Sequence, residues 1–312
     1  MKYGMAEPVP LLTNKELYVM IGSNENYIWR KLRMDYRIIG DSCLDLTPEM
    51  KKEGKIRIVP LTLHVDGVDY RDDETFDQKN FIAVVAASQT GPKSSCPSPE
   101  DFKQAFGEDD VPAFCVTLSA ELSGSYNSAL LGQRLSQEDH PDKKIHVFNS
   151  RSACIGETLI ALKIEEYAEA GETFEVIVEK VEAYIRHQET FFVLDNLETL
   201  RKNGRLTGVK AALVSVLNIK PVMMATPEGT IEQCSMGRGT KKALKKMVEE
   251  VGNKVSDFEN RIFGISHCNC LERAIFVKEE IEKRYPFKKI VIADTAGVGT
   301  MYANDGGVVI AF

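Results

Sequence analysis

At 312 residues, with 43% hydrophobic and 27% charged side chains, the chain has an ordinary globular composition and length enough for two domains of about 150 residues each. It contains no run of about 18 or more apolar residues, which argues against a membrane-spanning helix. The net charge is −7 and the Lys and Arg residues form no basic stripe, which argues against a nucleic-acid partner, because phosphate neutralisation needs clustered cations.

The seven cysteines, Cys43, Cys96, Cys115, Cys154, Cys234, Cys268 and Cys270, are odd in number, scattered, and often set in apolar segments. They read as reduced thiols of a cytoplasmic protein. Residues 1–33 lack the basic start, continuous apolar stretch and small-residue cleavage site of a secretory signal, and read as an N-terminal extension of uncertain origin, with the first domain beginning at Met34.

In chain order, an apolar strand at 36–40 ends at Asp41-Ser42. Thr47-Pro48-Glu49 then supplies an N-cap, a first-turn proline and an early acid for a helix. The spacing predicts further strands at 55–63, 112–118 and 144–148, alternating with helices at 76–88, 125–137 and 153–170, the last ending at Gly171. A second set follows: helices at 174–186, 197–202, 209–217, 241–251 and 271–284, and strands at 191–194, 220–225, 230–235, 261–266, 289–293 and 307–311. Pro227-Glu228-Gly229 between two of these strands reads as a hairpin turn.

The fold class expected is α/β with two domains, 34–170 and 171–312, each a mainly parallel or mixed sheet flanked by helices. The ligand site is expected in the cleft between them.

Three segments could carry chemistry. In Pro92 to Asp101, Ser98 caps a helix begun by Pro99, and Ser94 and Ser95 just before it offer hydroxyl and backbone donors to an anion, unless they simply face water. In Leu118 to Ala129, Gly124 permits close approach to the backbone, and Ser125 or Asn127 could bond a ligand or cap the helix. His267 follows the strand at 261–266 directly and could donate to a carboxylate. Cys268 and Cys270 beside it lack the paired spacing of a zinc site. Asp41 is a site acid or a cap for its turn. The apolar segments 209–217 and Val222-Met223-Met224-Ala225 suit either a packed core or the wall of an acyl tunnel. Phosphate-loop, nucleophile-elbow and zinc-protease motifs are missing, and a Ser or Cys nucleophile paired with His267 stays open.

Taken in order, several short motifs resemble the DegV family of bacterial fatty-acid-binding proteins over residues 35–312. They are Asp41-Ser42 with Asp45-Leu46; Ile58-Val59-Pro60-Leu61 with Asp66-Gly67 and Tyr70-Arg71-Asp72; Ser94-Ser95-Cys96-Pro97-Ser98; Leu122-Ser123-Gly124-Ser125-Tyr126; and Leu197 to Arg205 followed by Lys220-Pro221. The resemblance implies a two-domain carrier rather than an enzyme. One long-chain fatty acid, of palmitate, stearate or oleate type, would be buried between or within the domains as the only bound group, with no cofactor or metal. Its carboxylate would be held by Thr62, Ser95 and His267, with Ser94, Gly124, Ser125 and Asn127 adjacent. It further implies an ATP-binding fatty acid kinase subunit as partner, Arg205 near the docking surface, and at most transient membrane contact. The chain departs from the family at its end, where Gly299 to Gly307 replaces the common His-x-Gly-Pro-Gly segment.

Overall fold

The computed structural model describes residues 11–13, 16–21, 28–31, 35–206 and 218–312. The helix expected at 209–217 lies outside the described residues. The first three segments form strands β1 (Leu11–Thr13), β2 (Glu16–Ile21) and β3 (Ile28–Lys31), paired antiparallel in that order.

The strand and helix alternation then builds a first layer. Its elements are β4 (Arg37–Asp41), α1 (Pro48–Glu53), β5 (Ile56–Val59), β6 (Thr62–Val65), β7 (Val68–Arg71), α2 (Gln78–Ala87), β8 (Lys93–Ser95), α3 (Pro99–Phe106), β9 (Ala113–Thr117), α4 (Ser125–Asp139), β10 (Ile145–Asn149), α5 (Ile155–Glu169) and α6 (Phe174–His187). Strands β10-β9-β4-β5 form a parallel sheet in that order. The expected caps are present: the Thr47 hydroxyl accepts from the Met50 amide, and Ser98 closes a capping box with Asp101.

The single strand expected at 55–63 is two strands in two sheets. Pro60 has no amide to donate to a ladder, so the chain leaves the parallel sheet there. The Leu61 amide turns to the Ser42 hydroxyl at 3.0 Å, and β6 starts a separate antiparallel sheet of order β7-β6-β8. Its β6–β7 hairpin turns through Asp66 and Gly67, both at positive φ (48° and 83°), the geometry that an Asp-Gly pair favours.

The second layer comprises β11 (Thr190–Val193), α7 (Glu198–Lys202), β12 (Ile219–Ala225), β13 (Ile231–Arg238), α8 (Thr240–Lys254), β14 (Ile262–His267), α9 (Leu271–Glu282), β15 (Lys289–Asp294), α10 (Gly297–Ala303) and β16 (Val308–Ala311). Its mixed sheet runs β13-β12-β11-β16-β14-β15, with only β14 and β15 parallel.

Helix α5 lies between the two sheets. Ile160, Ala161 and Ile164 join Ile38, Phe114 and Phe148 of the parallel sheet, while Ile155 and Leu159 join Val291, Ala293 and Ala311 of the mixed one. Helix α6, read from sequence with the second half, packs Ile177, Val181 and Ile185 into the first sheet's core, and Phe174 stacks on Phe114 at 4.8 Å. Both layers are thus fastened to one shared helix.

Candidate functional site

Period-two alternation gives the mixed sheet two faces. Phe191, Val193, Val222, Met224, Phe263, Ile265, Val308 and Ile310 point to one face and pack against Ala243, Leu244, Ala274 and Val277 of α8 and α9. Thr190, Phe192, Leu194, Ala225 and Val309 point to the other, where they line a cavity of about 740 Å³, counting open solvent at its mouth. The facing wall comes from the carboxyl ends of the parallel strands: Cys43 after β4, Leu118 and Leu122 after β9, and Arg151 to Cys154 after β10. That edge is where ligands of open α/β sheets bind.

The cavity is closed at one end by the β12–β13 hairpin. The Ser119 hydroxyl donates to the Gly229 carbonyl at 2.8 Å and Arg151 Nη1 to the Pro227 carbonyl at 3.0 Å. Only glycine fits at 229, because its φ is 94° and a Cβ would stand 2.3 Å from Ser119 Oγ. Arg205 also lines the cavity, and its Nε donates to the Leu122 carbonyl at 3.1 Å.

Helix α10, not read from sequence, supplies Val298, Gly299, Tyr302 and Ala303 to the cavity. Two buried carboxylates anchor its start. Asp72 accepts from the Gly297 and Val298 amides at 2.6 and 2.8 Å, and Asp45 accepts from the Ala296 amide at 2.7 Å and the Ser266 hydroxyl at 2.5 Å. Burial outweighs these bonds and pushes Asp45 up to about 7 and Asp72 up to about 6. Glu157, fully buried beside them with neither oxygen hydrogen-bonded, is raised well above the carboxylate range by the same desolvation. Asp41 caps its turn, accepting from the Cys43 amide, and also bridges to the Leu118 amide.

The small antiparallel sheet brings the hydroxyl residues together. Thr62 pairs with Ser95, so their side chains share the outer face, whereas Leu63 pairs with Ser94 on the inner face. Ser94 Oγ lies 3.3 Å from the hydroxyl of Tyr302 in the cavity wall. Ser95 Oγ lies 2.9 Å from His64 Nε2, and His64 Nδ1 lies 2.6 Å from Asp69 Oδ1. Sequence reading passed over His64, although Asp66-Gly67 marks a hairpin that sets it opposite Asp69.

The structure does not bring His267 to Thr62 and Ser95. His267 pairs with Val308, so its ring points to the filled face of the mixed sheet, away from the cavity. Its Nδ1 lies 3.1 Å from Asp294 and 3.4 Å from the Cys270 amide. Burial lowers its pKa, opposed by the Asp294 charge. Cys268 and Cys270 diverge into different cores. Of the other candidates, Gly124 lies against Cys96, a Cβ there standing 3.1 Å from Cys96 Sγ. Ser125 is buried, 3.1 Å from the Ser123 hydroxyl, and Asn127 is exposed on α4.

The model of the DegV family, described as uncharacterised protein, matches residues 35–312. The chain belongs to the DegV family. A DegV domain-containing protein of Streptococcus pyogenes serotype M18 is 34% identical over 282 residues, covering 89% of this chain and 99% of the relative. Among solved structures, a DegV protein of Ruminococcus gnavus refined with vaccenic acid is 49% identical with a TM-score of 0.87, over 89% of this chain and 100% of that one. The Streptococcus pneumoniae Fatty Acid Kinase (Fak) B3 protein loaded with linoleic acid is 32% identical with a TM-score of 0.81, over 89% and 99%. A DegV protein of Eubacterium eligens loaded with heptadecanoic acid is 28% identical with a TM-score of 0.81, over 88% and 98%. Among the described residues of this DegV chain, no helix is long and apolar enough to cross a membrane.

Proposed function

We propose that this DegV protein carries one long-chain fatty acid in the cavity between its sheets and presents the carboxylate to a partner kinase that supplies ATP. The observation that carries this reading is the cavity itself, apolar almost throughout and walled by the mixed sheet on one side and the parallel strands' carboxyl ends on the other. An acyl chain entering it gains about 0.8 kcal/mol per buried methylene, while its carboxylate needs polar partners at the rim. The fatty-acid-loaded relatives and the Fak B3 protein support the same reading.

The carboxylate would leave the cavity past Tyr302 and Ser94 and meet the Thr62 and Ser95 hydroxyls at the edge of the small sheet. Tyr302 thus takes the place that sequence reading gave to His267. Arg205, which lines the cavity, would face the partner. The protein would then be a carrier without catalysis of its own, working in the cytoplasm.

Denaturing extraction of the purified protein, with mass spectrometry of the released lipid, tests this. One fatty acid per chain supports the reading. No lipid, even after incubation with oleate, removes it.

A further inference from the structure

The outer face of the β7-β6-β8 sheet places Ser95, His64 and Asp69 on three adjacent strands, joined by hydrogen bonds of 2.9 and 2.6 Å. Their atoms match a nucleophile, base and orienting acid. Hydrolysis would also need a water-excluded site with donors aimed at a developing oxyanion. Here His64 and Asp69 are solvent-accessible, with side chains 37% and 70% exposed. The arrangement is better suited to controlling the direction of one hydrogen bond.

The Asp69 carboxylate only accepts, so His64 Nδ1 carries a proton toward it. In a neutral imidazole Nε2 is then an acceptor, and the Ser95 hydroxyl must donate to it. Ser95 in that state turns lone pairs toward an incoming carboxylate. When His64 takes a second proton, Nε2 donates to Ser95 Oγ and the serine hydrogen is released to donate to the ligand.

Resting on the carrier reading above, we infer that His64, held by Asp69, is a positioning residue that readies Ser95 for the fatty acid carboxylate only when its imidazole is protonated. Ligand binding and protonation of His64 are therefore linked. The bound carboxylate draws a proton onto the imidazole, and affinity falls as pH rises, by at most about tenfold per pH unit for one linked proton. The charged groups around the ring are its register partners, Asp69 on β7 and Lys93 on β8. Arg71 lies two residues further along β7, opposite Thr62, with its Nε 3.7 Å from Asp73 Oδ2.

Nitrogen-15 spectra of the full chain, lipid-free and loaded with oleate, give the His64 titration directly, with His64→Gln assigning its signals among the 5 histidines. We expect the His64 signals to respond to oleate in the direction of the protonated ring, and not to methyl oleate, which lacks the carboxylate. Affinity of the wild-type protein should weaken between pH 6 and pH 8 relative to His64→Gln, whose amide donates to Ser95 without titrating. An unchanged midpoint in protein shown by mass spectrometry to hold oleate overturns the inference and leaves the carrier reading intact. Failure to take up oleate at any pH removes the carrier reading instead. Turnover of a nitrophenyl acyl ester that vanishes in both Ser95→Ala and His64→Gln would replace positioning with hydrolysis.

Discussion

The two faces of the mixed sheet are built from much the same residues and end differently. On one, Phe191, Val193, Phe263 and Ile310 are buried under α8 and α9; on the other, Phe192, Leu194 and Val309 face a gap that the parallel sheet's loops roof over. Apolar composition alone does not say which face is filled. What decides is whether the next element is a helix that presents an apolar stripe or a set of loop ends that stand off.

The largest test of that contrast is Phe263→Ala on the filled face. It should cost about 3–5 kcal/mol of stability, read by urea unfolding, because the cavity it leaves cannot collapse between the sheet and the two helices that cover it. Lipid stoichiometry of the folded fraction should not change. A loss of lipid in a protein of unaltered stability would mean that the faces are assigned the wrong way round.

Next in size is Ser95→Ala. A hydrogen bond to a charged group is worth about 1.5–3 kcal/mol, so oleate affinity should fall by roughly tenfold or more at pH 6, with unfolding unchanged because the residue is exposed. Equal affinity would remove the carboxylate from the small sheet.

A pH series tests the two carboxylates that anchor α10. Asp45 and Asp72 are raised in the folded state above the ordinary value of about 3.9, so between roughly pH 4 and 7 the folded chain binds more protons than the unfolded one. Their contribution is fully present under acidic conditions and is lost as pH rises through about 6 to 7. Asp45→Asn should flatten that fall, seen as a smaller difference in unfolding midpoint between pH 5 and pH 8. An unchanged slope would show that Asp45 is not the group titrating.

The smallest expected effect is that of His267→Gln on binding. With its ring on the filled face, oleate affinity should stay within about twofold, while stability drops by about 1 kcal/mol as its buried contacts to Asp294 and the Cys270 amide change. A tenfold loss of affinity would restore the histidine that sequence reading favoured.

Much of the fold was legible because it rests on long, regular signals. The Thr47-Pro48 and Ser98-Pro99 starts, the Pro227-Glu228-Gly229 turn and the alternation of apolar strands and helices each have a local cause, and each element appears where that cause acts. The misses are short elements whose partners are distant. β8 has 3 residues, and its ladder to β6 joins residues about thirty positions apart, so only the Asp66-Gly67 turn could have announced the sheet. Helix α10 has 7 residues and is fixed by Asp45 and Asp72, over two hundred positions away.

The site was legible in part for the same reason. Ser95, read from its segment, and Thr62, which only the family resemblance implied, are register partners across a ladder. His267 does not join them, because a residue's place at a strand's end says nothing about which face its side chain takes.

Helix α5 bears on how a ligand could enter. Swinging the two sheets apart like a clamshell would uncover Ile155 and Leu159 on one side or Ile160 and Ile164 on the other, at roughly 1.5–3 kcal/mol for each side chain exposed. The helix therefore acts as a rivet. Exchange that leaves it seated has to proceed through movement of the rim segments, with the two layers held still relative to each other.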